Sequence, residues 1–214
     1  GILRDKSFPK MEPETWKAVL DVHLNGAYHV TKPAFQIMRD RNYGRIVMTT
    51  SAAGLYGNFG QTNYSAAKMA LVGFMNTLKI EGAKYNVKVN TIAPIAASRL
   101  MADIIPPDLL EKMKPEFVAP MVLYLCSESC PVTGCIYNAG MGSYNRAAIV
   151  TAPGVVIGDG KTPPAVEDVS ANWARIAELG GAREYDQLNA VLGDMLQAFE
   201  KKDKPAPAAA PPAG

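Results

Sequence analysis

The sequence has 214 residues, of which 48% are hydrophobic and 20% are charged, and its formal net charge is +2. These values are typical of a soluble globular protein with room for one sizeable domain and an appendage. A net charge so close to zero gives no electrostatic case for nucleic acid or an anionic membrane as a partner. No apolar run approaches the ~20 residues that a membrane-spanning helix needs, and no signal-peptide pattern opens the chain.

The cysteines indicate a reducing compartment and no metal. Cys126, Cys130 and Cys135 are odd in number and sparse, which favours buried thiols over a disulfide framework. His23 and His29 are the only histidines, and both lie far from the cysteines along the chain. We therefore expect no zinc site.

The hydrophobic pattern alternates between helical and strand periods. In chain order it predicts a helical run over residues 13–39, a strand over 45–50, a helix over 63–84, and strands over 87–93 and 135–139. Pro33 should kink or end the first run. The small-residue face of the helix over 63–84 suits packing against a sheet or a second copy of the chain. Strands separated by helices predict an α/β fold with a parallel sheet and right-handed crossovers.

The rest of the chain is less regular. We expect an α-rich appendage over residues 143–200, with a further strand over 147–151 and helices over 166–179 and 184–199. The Pro- and Ala-rich residues 201–214 contain no core-forming side chain and are predicted to be disordered or polyproline-like, as a tail or linker. The domain interpretation is therefore one α/β unit over 1–142, the appendage, and the tail.

Ser51, Tyr64 and Lys68 carry the most chemical information. Ser51 follows the strand over 45–50 and precedes a Gly-rich loop. Tyr64 and Lys68 share one face of the next helix, because residues four apart are neighbours on a helix surface. A hydroxyl, a phenol and an ammonium should then meet at the carboxyl end of a strand, where open α/β sheets bind ligands.

These groups suit proton transfer to or from a carbonyl or alcohol oxygen. A free phenol has a pKa near ~10 and exchanges protons poorly at neutral pH, but a nearby ammonium stabilises its anion. The matching hydride needs a nicotinamide, because no side chain supplies one. Tyr-x-x-x-Lys alone also occurs by chance, as an interior aromatic beside a surface cation. The hydroxyl at Ser51 and the downstream Asn90-Thr-Ile-Ala-Pro94 favour the catalytic interpretation.

With these motifs the chain resembles the short-chain dehydrogenase/reductase superfamily over residues 1–142. The resemblance implies the C-terminal part of a Rossmann-like, doubly wound parallel sheet. It implies that Tyr64 is the acid/base, that Lys68 activates it and contacts the cofactor ribose, and that Ser51 binds the substrate oxygen. The cofactor would be NAD, with NADP as the alternative, and its contacts would include Gly1 and the loop from Pro94 through Ile95, Ala96, Ala97 and Ser98 to Arg99.

A closer resemblance is to the (3R)-hydroxyacyl-CoA dehydrogenase region of type 2 multifunctional enzymes and their bacterial single-domain relatives. It rests on segments such as Tyr56-Gly-Asn-Phe-Gly-Gln61 and Lys114-Pro-Glu-Phe-Val-Ala-Pro120. It implies oxidation of (3R)-3-hydroxyacyl-CoA to 3-oxoacyl-CoA in a homo-oligomer, peroxisomal in a eukaryote or cytoplasmic in a bacterium. A 3-oxoacyl-carrier-protein reductase using NADPH is the neighbouring alternative. A non-catalytic truncated or dimerising module is the alternative from another class.

The sequence departs from the superfamily pattern in the relay residue and in the loop after Pro94. His23 stands where an asparagine usually completes a proton relay, and a neutral imidazole can also donate and accept. If the register shifts by two residues, Asn25 occupies that position instead. The structural alternative for His23 is a packed, hydrogen-bonded helix histidine. Ile95-Ala-Ala replaces a loop that usually contains glycine.

The Gly-rich phosphate motif T-G-x-x-x-G-x-G is absent, and the first residue is not Met. Gly1-Ile-Leu resembles the residues just after the fourth strand of the family fold. We therefore expect a fragment that lacks the first half of the fold and, by itself, has little affinity for NAD.

Overall fold

The computed structural model describes residues 1–97 and 106–203, apart from the side chains of residues 202 and 203. Its strands are β1 (Gly44–Thr49), β2 (Val87–Pro94), β3 (Ile136–Gly140) and β4 (Ser143–Ala147). Its α-helices are α1 (Pro13–Leu20), α2 (Gly26–Asp40), α3 (Ala52–Tyr56), α4 (Thr62–Gly82), α5 (Pro107–Lys112), α6 (Ala119–Cys126), α7 (Val166–Ala171), α8 (Trp173–Ala177) and α9 (Leu188–Asp203).

The strands form one sheet in the order β1-β2-β3-β4. The first three strands are parallel, with Gly44 opposite Val87 and Thr91 opposite Ile136. The carboxyl ends of β1 and β2 therefore lie at the same edge of the sheet. This arrangement confirms the α/β class and the parallel sheet.

The last strand lies earlier in the chain than the sequence pattern predicts. The strand expected over 147–151 is instead β4, which pairs antiparallel with β3. Met141 and Gly142 both have positive φ, at 54° and 75°, which is the geometry of a tight two-residue hairpin turn. Period-2 alternation could not reveal β4, because its residues are mostly exposed and polar.

Helix α4 packs its apolar face on the sheet. Leu71, Val72 and Met75 recur at helical spacing and are at most 2% exposed. They form a core cluster with Val87 and Val89 of β2. The cluster fixes the position of α4 relative to β1 and β2, and with it the side chains on the first turns of α4.

The helical run that precedes β1 deviates from regular α geometry at an unexpected place. Pro33 lies inside α2, which continues through it, so the run does not end at this residue. The irregularity is instead a π-helical turn at Asp21–Asn25, between α1 and α2. Such turns are often found at functional sites, and this one contains His23.

The chain divides into two compact units, Gly1–Ala148 and Ile149–Gly214. The first unit contains the whole sheet, including β4. The described part of the second contains α7, α8, α9 and an isolated bridge between Thr151 and Arg183. The predicted domain limits at 142/143 and 200/201 stay predictions.

The described helices differ in length and hydropathy. No helix among them combines the length and the hydropathy that crossing a bilayer requires. In the second unit, Trp173 and Leu196 are 63% and 65% exposed.

A close backbone approach joins the ends of β2 and β3, and it predicts a stability effect. A Cβ atom on Gly140 would lie 2.1 Å from the carbonyl oxygen of Ile95. We expect Gly140→Ala to lower the free energy of unfolding by more than about 2 kcal/mol, because backbone atoms would have to move. Urea unfolding of the full-length protein measures this.

Gly26→Ala is the matched control for Gly140→Ala. Gly26 has helical φ, and its added Cβ would make only ordinary contact with the Asp21 oxygen at 3.6 Å. Alanine there should stabilise the protein by up to about 1 kcal/mol. Equal effects of the two substitutions would contradict the interpretation of Gly140.

Candidate active site

Ser51 lies directly beyond β1 and starts a helix that the sequence pattern missed. The segment after Ser51 was expected to be a loop, but α3 begins at Ala52. The hydroxyl oxygen of Ser51 accepts a hydrogen bond from the Ala53 N–H at 3.2 Å, so Ser51 is the N-cap. Because the oxygen accepts this bond, the hydroxyl proton remains available to a ligand.

Tyr64 lies on the first turn of α4, and its backbone is fixed by a buried neighbour. Asn63 is fully buried, and its Oδ1 accepts the Tyr64 N–H at 2.7 Å. Its Nδ2 donates to the Arg4 carbonyl at 3.2 Å, which ties the N-terminal segment to α4. Sequence reasoning did not single out Asn63. The sequence shows an asparagine directly before the tyrosine, but it does not show that this side chain is buried.

Lys68 is a buried cation and not a surface charge. It is 7% exposed, and its Nζ donates to the Thr49 carbonyl at the end of β1 at 2.8 Å. Its own carbonyl accepts the Thr50 hydroxyl at 2.7 Å. The Nζ lies 5.6 Å from the centroid of the Tyr64 ring. The structure therefore brings Tyr64 and Lys68 together at the carboxyl end of β1, as the spacing predicts.

The surroundings of Lys68 leave it able to bind a ligand. Burial lowers the pKa of the Lys68 ammonium. One of its N–H groups is used by Thr49, and within the described ranges the others have no acceptor. Gly54 of α3 allows the close packing here, since a Cβ on it would lie 2.8 Å from the Lys68 Cβ.

His23 contacts Tyr64 from the π-helical turn. The two ring centroids are 5.0 Å apart and the planes are nearly perpendicular, at 88°. The His23 Nε2 lies 2.8 Å from the Ile2 carbonyl oxygen and 3.3 Å from the Ile2 nitrogen. The shorter contact requires an Nε2–H donor, and in that tautomer the neutral ring keeps Nδ1 as an acceptor. Asn25 is exposed instead, and its side chain donates to Asp21. The structure thus places His23, and not Asn25, beside the phenol.

The environment of His23 favours its neutral form. Burial lowers the pKa of the imidazole, and the positive charge of Lys68 lowers it further. The hydrogen bond to the Ile2 carbonyl raises the pKa of the imidazole, but less than burial lowers it. Gly1 lies against the same ring, because a Cβ on it would be 2.7 Å from the His23 Cε1.

The loop after β2 is held to neighbouring elements by its backbone. The Ile95 N–H donates to Ala139 at 2.8 Å, and the Ala97 N–H donates to Met113 at 2.7 Å. Pro94 and Ala96 line an apolar groove of about 560 Å³ that residues of α6 complete. Ser98 and Arg99, also expected in the cofactor site, lie outside the described residues.

The residues present fit the nicotinamide-ribose half of a dinucleotide. The unused N–H groups of Lys68 are donors that suit ribose hydroxyls, and Tyr64 lies beside them. The Gly-rich motif that would hold a pyrophosphate at a helix N-terminus is not in the sequence. Within the described ranges there is no group of three or more His, Cys, Asp or Glu side chains that could hold a metal ion.

Comparison with known proteins identifies the family. A family model described as short chain dehydrogenase matches residues 1–106. A short-chain type dehydrogenase/reductase of Mycobacterium tuberculosis is 53% identical over 183 residues, which are 86% of this chain and 63% of that protein. An acetoacetyl-CoA reductase of a Synechocystis species is 41% identical over 146 residues, 63% of this chain and 61% of that protein.

A solved structure extends the likeness to both units. The full-length peroxisomal multifunctional enzyme type 2 of Drosophila melanogaster superimposes with a TM-score of 0.86 at 40% identity. The match covers 94% of this chain and 37% of that one, so the chain spans less than two thirds of these relatives. The chain belongs to the short-chain dehydrogenase/reductase family.

The buried state of His23 predicts a pH dependence of stability. Its folded pKa is lowered, so the unfolded chain binds the proton more readily. The stability that depends on neutral His23 should be complete above about pH 6.5 and lost as the pH falls below it. Urea unfolding between about pH 5 and 7.5 should show a weaker pH dependence in His23→Gln than in the wild type.

His29→Gln provides the control, because His29 is exposed on α2. This variant should keep the pH dependence of the wild type. If His23→Gln and the wild type have parallel stability profiles, the buried neutral imidazole is not the cause.

Proposed function

We propose that the protein containing this chain is an oxidoreductase that converts (3R)-3-hydroxyacyl-CoA to 3-oxoacyl-CoA with NAD. The observation that carries the proposal is the environment of the Tyr64 phenol. A buried ammonium lies on one side of the ring at 5.6 Å, and a neutral imidazole lies against it with centroids 5.0 Å apart. The ammonium also binds the Thr49 carbonyl at the end of β1, two residues before Ser51.

Each residue has a role that follows from its contacts. Ser51 donates its hydroxyl proton to the substrate oxygen, since its own oxygen already accepts from Ala53. Tyr64 takes the proton of the substrate hydroxyl as that oxygen becomes a carbonyl, and Lys68 stabilises the phenolate by its charge. When bound, the nicotinamide supplies the acceptor for the hydride that leaves the carbon.

His23 is proposed to relay the proton away from Tyr64. A neutral imidazole with Nε2–H bound to Ile2 keeps Nδ1 free to accept. Direct transfer or transfer through a water molecule would return Tyr64 to the phenolate for the next cycle. The lowered pKa of the imidazole makes it a temporary proton carrier, because a weakly basic ring releases the proton readily.

The substrate class is supported by two relatives. One is named an acetoacetyl-CoA reductase, which acts on a 3-oxoacyl-CoA in the reducing direction. Another is a peroxisomal multifunctional enzyme. We therefore favour a CoA thioester over an acyl-carrier protein. The proposal also includes NAD as the cofactor, with NADP as the alternative, and a homo-oligomer in the peroxisome of a eukaryote or the cytoplasm of a bacterium; these parts rest on the family resemblance.

The burial of Lys68 weighs against a non-catalytic module. Burying an ammonium costs free energy unless the charge is compensated. In the described part of the chain the partner of its Nζ is a neutral carbonyl, that of Thr49. A structural lysine would gain more by pointing into solvent, so the position is explained best by a ligand.

Tyr64→Phe tests the proposed acid/base. In the full-length protein it should lower kcat with 3-hydroxyacyl-CoA by about 10²–10⁴-fold, because no other group exchanges the substrate proton. NADH formation measured spectrophotometrically gives the rate. Tyr28→Phe, which removes an exposed hydroxyl on α2, should have wild-type rates. Wild-type turnover by Tyr64→Phe would refute the mechanism.

His23→Ala tests the relay separately from cofactor binding. We expect a lower kcat whose dependence on pH differs from that of the wild type, with an unchanged Kd for NADH. Stopped-flow rates across the pH range and fluorescence titration with NADH measure the two quantities. An unaltered rate at every pH would leave His23 with a packing role only.

A further inference from the structure

We infer that Tyr56 and Phe59, which we call the aromatic rim, bind the hydrocarbon chain of the acyl group and select for its length. The inference rests on the proposed function and deepens it. Phe59 is 89% exposed and Tyr56 is 70% exposed, although both are large apolar side chains. They lie on the segment that leads from α3 to α4, between Ser51 and Tyr64 in the chain.

The aromatic rim is held in place by a network of hydrogen bonds. Gln61 is 9% exposed, and its Nε2 donates to the carboxylate of Asp5 at 2.8 Å. Its Oε1 accepts from Asn58 at 2.9 Å. The Lys6 N–H donates to the carbonyl of Gly60 at 2.9 Å. These bonds fix the backbone on both sides of Phe59.

Backbone conformation restricts the same segment further. Gly57 and Gly60 have φ values of 80° and 79°, which other residues rarely adopt. Leu55, beside Tyr56, packs against the core cluster and anchors the end of α3. The two rings are therefore presented on a fixed backbone. A fixed, exposed pair of aromatic side chains is typical of a binding surface, because little entropy is lost when a ligand covers it.

The direction of the Tyr64 side chain is toward the segment that carries Phe59. Helical side chains lean toward the N-terminus of their helix, so Tyr64, on the first turn of α4, leans toward the segment that carries Phe59. Ser51 is at the other end of the same segment. A substrate whose oxygen lies between Ser51 and Tyr64 can extend its apolar chain along Tyr56 and Phe59.

The chemistry of the aromatic rim suits a hydrocarbon. Phe59 has no polar atom, and within the segment 56–60 there is no charged side chain. Covering these rings with methylene groups removes apolar surface from water on both sides, and the gain grows with chain length. A short acyl group would end before reaching them.

Phe59→Ala and Phe59→Leu test the inference in the full-length protein. The substrates are 3-hydroxybutyryl-CoA and 3-hydroxydecanoyl-CoA, and the readout is the ratio of their kcat/KM values. We expect Phe59→Ala to shift this ratio about tenfold against the decanoyl substrate, mainly through KM, since a lost apolar contact of this size has that effect. Phe59→Leu should shift it less. Phe8→Ala, which removes another exposed phenylalanine, should leave the ratio unchanged.

The outcomes separate the inference from the function on which it rests. Activity of the wild type with 3-hydroxybutyryl-CoA tests the proposed function, whereas the ratio tests the aromatic rim. A ratio unchanged in Phe59→Ala would overturn the inference. So would a change of oligomeric state in that variant by sedimentation velocity, because the aromatic rim would then be a contact between subunits.

Discussion

The candidate site depends on the hydrogen bond from the buried Lys68 ammonium to the Thr49 carbonyl. This bond, together with the one from Thr50 to the Lys68 carbonyl, joins the end of β1 to α4. It fixes the distance between a strand end, which carries Ser51, and a helix, which carries Tyr64. The core cluster under α4 supplies the rigidity, because its apolar contacts hold the helix on the sheet. The chemistry of the site is thus a consequence of how one helix is fastened to one strand.

The pattern of the sequence was sufficient for the elements with strong periodicity. Helix α4 and strand β2 contain continuous apolar residues at helical and strand spacing, and both were expected within a few residues of their bounds. The pairing of Tyr64 with Lys68 also follows from spacing alone, since it depends only on helix geometry. Ser51 was expected at the strand end, and it lies there.

Other features depended on contacts that local sequence does not encode. Helix α3 is a single short helix whose start depends on the Ser51 cap, and a Gly-rich stretch gives no helical signal. The helical run has a π-helical turn at Asp21–Asn25, which no residue pattern indicated, and it continues through Pro33, where an end was one of the two expectations. The choice of His23 over Asn25 depended on which of them this turn directs at Tyr64. The burial of Asn63 and Gln61 likewise follows from contacts with the N-terminal segment.

The bonds around Lys68 also join residues that are close along the chain. They close loops of 18 and 19 residues, short separations for contacts that join a strand to a helix. The entropic cost of closing a loop rises with the length of chain enclosed, so these contacts cost less to close than more distant ones. The geometry of Ser51, Tyr64 and Lys68 is therefore encoded in one continuous strand–helix segment. The parallel pairing of β1 with β2 encloses a longer stretch of chain, and it brings Val87 and Val89 into the core cluster that holds α4 on the sheet.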